Sequence, residues 1–139
     1  AFTVNRLTVT EDQAETDTGN ANSANYANNV SMVTVSYPDA SGVTQTATGA
    51  LTGNEVTLNG LTMYVAKDSH ATVTVKVDVS GTDRSGGSAT SNERIRMGLS
   101  RDNGGADDQI RAVGASSGGT LDDDGINPTS SRNQVNHRA

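Results

Sequence analysis

The side chains able to do acid–base chemistry are few and scattered. The two histidines, His70 and His137, fall in a turn and near the end of the chain. Gly114-Ala115-Ser116-Ser117-Gly118 has the Gly-x-Ser-x-Gly spacing, but a loop and not a helix follows it, so it lacks the strand-to-helix context of a nucleophile elbow. Cysteine is absent, which excludes thiol nucleophiles, thiolate zinc sites and disulfides. Paired carboxylates occur only in loops, whereas glycoside hydrolysis needs two that face each other across a cleft. These residues do not read as an enzyme. What remains is oxygen-rich. Asp102-Asn103 with Asp107-Asp108 is one cluster, Asp122-Asp123-Asp124-Gly125-Ile126-Asn127 a second, and Asp17 with Asn20 and Asn22 a third. Ca²⁺ takes about six to eight oxygens from a turning chain, which makes Asp102, Asp107, Asp108, Asp122, Asp123 and Asp124 the candidate Ca²⁺ ligands. None has the EF-hand spacing, and an acidic solvated turn is the simpler account of each. No cofactor is required. Asn29-Val30-Ser31 fits the acceptor pattern for Asn-linked glycan.

Composition narrows the class. The 139 residues suit a single domain over 1–139. Apolar residues are 32% of the chain, enough for a thin core between two sheets. The aromatics are Phe2, Tyr26, Tyr37 and Tyr64, which offer no evident platform for sugar stacking. A net charge of −6 without a basic stripe argues against nucleic acid as a partner. No run of about 18 apolar residues is present to span a membrane as a helix. The opening Ala-Phe-Thr-Val is what signal-peptide cleavage, or a boundary inside a longer chain, would leave. The Thr/Ser/Asn/Gly/Ala/Val bulk fits a secreted β-protein at a cell surface.

The elements follow from periodicity. Val73, Val75, Val77 and Val79 alternate with Thr72, Thr74, Lys76, Asp78 and Ser80, which predicts a central strand with one buried face. Phe2–Thr10 reads as a strand with a flaw: Phe2 and Val4 share one face, Leu7 and Val9 the other. A bulge near Asn5–Arg6, or burial of both faces in turn, accounts for the switch. Glu11–Asn29 is a polar loop with room for one helical turn at Ala21–Ala27. Val30–Tyr37 places Val33, Val35 and Tyr37 on one face. Pro38-Asp39-Ala40-Ser41-Gly42 is a turn leading to a Thr/Ala edge strand over Val43–Ala50. Asn59-Gly60 predicts a type I′ hairpin between Glu55–Leu58 and Leu61–Val65. Glu93–Leu99 is a strand with Ile95, Met97 and Leu99 inward. Ile110–Gly114 is a short strand, Ala115–Ser131 a loop, and Gln134–Ala139 a last strand. The result is an all-β, Ig-like or jelly-roll antiparallel β-sandwich of eight or nine short strands, almost without helix.

The stretch Leu61-Thr-Met-Tyr-Val-Ala-Lys-Asp-Ser-His-Ala-Thr-Val-Thr-Val-Lys-Val-Asp-Val-Ser80 resembles the core of Ig-like β-sandwich modules in bacterial extracellular surface proteins. Ile110-Arg-Ala-Val-Gly-Ala-Ser-Ser-Gly118 is similar to a closing motif of the same modules. The resemblance implies a cell-surface or matrix role and carries over no catalytic residue.

Edges supply the functional expectation. Phe2–Thr10 and Gln134–Ala139 contain neither Pro nor Lys, the usual protection of an exposed sheet edge. Each lies beside a long loop. A strand that docks into a neighbour's sheet joins subunits head to tail without closure, which builds a filament. Phe2, Val4, Leu7 and Val9 are then the donor-strand side chains, with 134–139 as the competing donor. The expected protein is an extracellular fibre subunit assembled by strand exchange, its partner other copies of itself. The alternative is an adhesive or carbohydrate-binding Ig-like module of a larger surface protein, stabilised by Ca²⁺, with a glycan or cell-surface receptor as partner.

Overall fold

Two-residue periodicity runs through the chain, and each apolar stripe is buried by pairing strands into two antiparallel sheets. The computed structural model describes residues 1–11, 30–52, 55–79, 97–99 and 109–122. The described residues form eight strands: β1 (Phe2–Glu11), β2 (Val30–Pro38), β3 (Thr44–Gly49), β4 (Glu55–Val65), β5 (Thr74–Val79), β6 (Met97–Leu99), β7 (Ile110–Gly114) and β8 (Thr120–Asp122). No helix occurs among the described residues. The protein is all-β. One sheet runs β4-β1-β7-β8, with β6 also pairing β1; the other runs β3-β2-β5. Val4, Leu7, Val9, Val56, Leu58, Leu61, Met63 and Ala112 of the first sheet share one core with Val30, Val33, Val35 and Tyr37 of the second. A common core between two sheets is the sandwich arrangement expected from the sequence.

Several elements stand where the sequence places them. Val33, Val35 and Tyr37 face inward on β2. β3 is an edge strand of its sheet among the described residues. The 38–42 turn is built as expected: Gly42 has φ 79°, and Asp39 Oδ1 accepts hydrogen bonds from the Ser41 and Val43 amides at 2.8 and 3.0 Å. Ile110–Gly114 is a strand.

Four expectations need correction. First, the Val-rich strand is not central. β5 pairs only β2 among the described residues; Val75 and Val77 are half-buried and Val79 is 60% exposed. β2 holds the middle of that sheet and contributes the fully buried valines. Second, Asn59-Gly60 makes no hairpin. β4 runs unbroken through it because β1 pairs with both halves, Phe2–Val4 with Val65–Met63 and Arg6–Thr10 with Asn59–Glu55. A hairpin would forfeit that long ladder. Gly60, at φ 71°, instead absorbs the register shift of a bulge. Third, Leu99 is not buried: it is 39% exposed, while Met97 on the same face of the strand packs against the core; Ile95 lies outside the described residues. Fourth, the stretch assigned to loop after Gly114 contains β8. It pairs with β7 through a turn closed by Gly114 N–H to the Gly119 carbonyl (2.8 Å) and Gly118 N–H to the Gly114 carbonyl (2.9 Å). Gly118 sits there at φ 65°.

Candidate functional site: the seat of the first strand

β1 occupies the interior of its sheet, not an edge. β4 lies along one side; β7, and then β6, lies along the other. This corrects the expectation of an open terminal edge over residues 2–10. The face switch has the simpler of its two causes. The register shifts between Val4 and Arg6 against both neighbours. Asn5 absorbs the parity change, so Val4, Leu7 and Val9 all enter one core. β4 changes parity at the same level, where Val56 and Leu58 give way to Leu61 and Met63. The inward sets therefore meet across the pair: Val4 with Met63, Leu7 with Leu58, Val9 with Val56. The two faces do not serve two hosts. Of the four apolar side chains, Phe2 alone is substantially exposed, at 40%.

Burial and hydrogen bonds hold the strand from both sides. Leu7 and Val9 are almost wholly buried, and each such side chain contributes about 1.5–3 kcal/mol. On the opposite face, Thr8 is 1% exposed, and its hydroxyl shares a 2.9 Å hydrogen bond with that of Thr57. Arg6 Nε donates to Asn59 Oδ1 at 2.8 Å. Thr8 N–H donates to the Gln109 carbonyl at 2.8 Å, and Ala115 N–H to the Ala1 carbonyl at 3.0 Å. Asn5 Oδ1, at the bulge, is buried without a hydrogen-bond partner. The polar contacts across the seat escape sequence reading. Only the pairing of strands some fifty positions apart brings Arg6 to Asn59 and Thr8 to Thr57, and no local pattern encodes that pairing.

Asp102, Asp107, Asp108, Asp123 and Asp124 lie outside the described residues, as do Asp17, Asn20, Asn22, Asn29, His137 and the 134–139 strand. Asp122 ends β8, its backbone opposite Arg111. Among the described residues no three His, Asp or Glu side chains converge on a point that could hold a metal. None of the described helices, there being none, crosses a membrane. His70 lines an open groove of about 340 Å³ with Ser36, Tyr37, Thr44, Thr72 and Thr74. Among the described residues no carboxylate lines that groove. Comparison of the chain with protein-family models, with curated proteins and with solved structures found no match.

Proposed function

We propose that the protein is an extracellular structural subunit that assembles head to tail by exchange of β1 between copies. One observation carries this reading: an interior strand fills a slot whose two walls, β4 and β7, are distant from it in sequence. β1 leads through residues 12–29 to β2, which belongs to the other sheet. Those eighteen residues reach at most about 60 Å when extended. A copy's β1 can therefore enter the slot of the next. The same apolar contacts and ladder form either way, so exchange changes connectivity and conserves the interface. Linker reach and concentration then decide between closed monomer and open chain. A Thr/Asn/Gly-rich composition fits an extracellular fibre.

A second reading is favoured by the completeness of β1's pairing within one copy, including its tie from Ala1 to Ala115. It makes the chain a self-contained adhesive or carbohydrate-binding module of a larger surface protein, its acidic loops held by Ca²⁺. Deletion of residues 1–10, combined with a synthetic 2–11 peptide, tests whether the seat accepts a strand from outside the chain. Both readings expect the deletion to lose cooperative melting and the peptide to restore it. Strand exchange further expects the intact protein to form filaments visible by electron microscopy as its concentration rises. An intact protein that scatters light as a monomer throughout supports the module instead.

A further inference from the structure

Asn59-Gly60 lies within β4 and makes no turn. Four observations meet there. Asn59 and Gly60 are both exposed on β4, which ends its sheet among the described residues. Gly60 falls in the register gap: pairing passes from Val4–Met63 to Arg6–Asn59, with no β1 partner for residues 60–62. Gly60 holds φ 71° with nothing within 4 Å of where a Cβ would stand. Finally, Arg6 Nε donates to Asn59 Oδ1 at 2.8 Å.

We propose that Asn59 is a site of self-catalysed deamidation, with Arg6 as the group that activates it. The Gly60 amide nitrogen gives up its proton to hydroxide and attacks Asn59 Cγ. The new N–Cγ bond places negative charge on Oδ1, the atom to which Arg6 donates. A guanidinium has only donors, so the group facing Oδ1 presents a hydrogen to it. A hydrogen bond aimed where charge develops favours the step that develops it. The Cγ–Nδ2 bond then breaks, and ammonia leaves with a proton from water. Water opens the resulting ring at one of its two carbonyls, giving aspartate or isoaspartate. The net change is amide plus water to carboxylate plus ammonium. Gly60 brings no side chain of its own to crowd the attack, and the ladder does not pair this point of β4 with β1. The aspartate product sets a carboxylate beside the Arg6 guanidinium. Deamidation to aspartate thus fastens β1 in its seat, whether that seat is filled from the same copy or from a neighbour.

The test is peptide mapping of the folded protein incubated at mildly alkaline pH, with isoaspartate detected by enzymatic methylation. Conversion at Asn59 is expected to rise with pH. In a folded Arg6→Leu variant it should fall about tenfold, less than the loss of a buried oxyanion donor because Asn59 is exposed. Arg6→Lys, which keeps a cationic donor, should retain part of the rate. Gly60→Ala should slow conversion further. Asn59→Asp should melt above the wild type, and that gain should vanish when combined with Arg6→Leu. If Asn59 stays an amide in the folded protein over a period that converts it in urea, the fold protects the site and the proposal fails. Equal rates in folded wild type and Arg6→Leu would remove Arg6 from the reaction.

Discussion

Asp39 organises the turn between β2 and β3 by accepting three hydrogen bonds. Gln45 Nε2 donates to its Oδ2 at 2.8 Å, and the Ser41 and Val43 amides donate to Oδ1. The Gln45 contact is the largest influence, and together these hold the Asp39 carboxyl below the ordinary carboxylate range against a smaller opposing effect of burial. A depressed pKa in the folded state means that Asp39 stabilises the fold above its unfolded pKa of about 3.9. That contribution disappears as pH falls through the lower folded value. An NMR titration should place the Asp39 midpoint below that of an exposed aspartate, and Gln45→Ala should move it back up. Two glycines separate packing from backbone conformation. A Cβ on Gly49 would lie 2.5 Å from Val56 Cγ2 and 3.1 Å from Leu58 Cδ2, so β3 could not approach β4. Gly49→Ala should cost about 1–3 kcal/mol by overpacking, read from denaturant melts. Gly42 faces open space, and Gly42→Ala should cost about 1 kcal/mol from its φ of 79° alone.

At the scale of elements, alternation and depth of burial come apart. β5 has the cleanest period of any strand, yet Val75 and Val77 are only half-buried and Val79 is exposed. β2 is less regular, yet its valines are fully buried. Strict alternation reports a strand with one wet face; it does not report the strand's place in the sheet. That place follows from partners, and β2 has one on each side. Val35 and Val75 are direct cross-strand partners, so they test the difference. Val35→Ala should cost about 2 kcal/mol and Val75→Ala about half of that, in proportion to the area removed from water. Val35→Asp should abolish cooperative unfolding, whereas Val75→Asp should leave a folded domain with a lower melting temperature. The bulge of β1 was legible because its apolar residues change parity within the strand. The matching bulge of β4 was hidden by a stronger local signal. Asn-Gly favours a two-residue turn in isolation, but β1 offers both halves of β4 a partner, and the long pairing prevails. The strand at Thr120–Asp122 escaped because three residues cannot display a period.

In the whole molecule, the sandwich class was readable from period, turn residues and composition, while the seat of β1 was not. Nothing in Phe2–Thr10 itself distinguishes a strand at an edge from one in the middle of a sheet. The distinction lies in β4 and β7, whose inward residues complement Val4, Leu7 and Val9 only after folding. An interior strand that reaches its slot from another sheet is the feature on which the account of assembly rests. Because the chain has no cysteine, an engineered pair reports connectivity without interference. Thr8 and Thr57 are cross-strand partners with hydroxyls 2.9 Å apart, a suitable site for a disulfide. The decisive measurement is a non-reducing gel of the Thr8→Cys/Thr57→Cys variant, refolded at high concentration and then oxidised. Strand exchange predicts a ladder of disulfide-linked multimers that collapses to monomer on reduction. A single monomer band carrying an internal disulfide, unchanged as concentration rises, would contradict it.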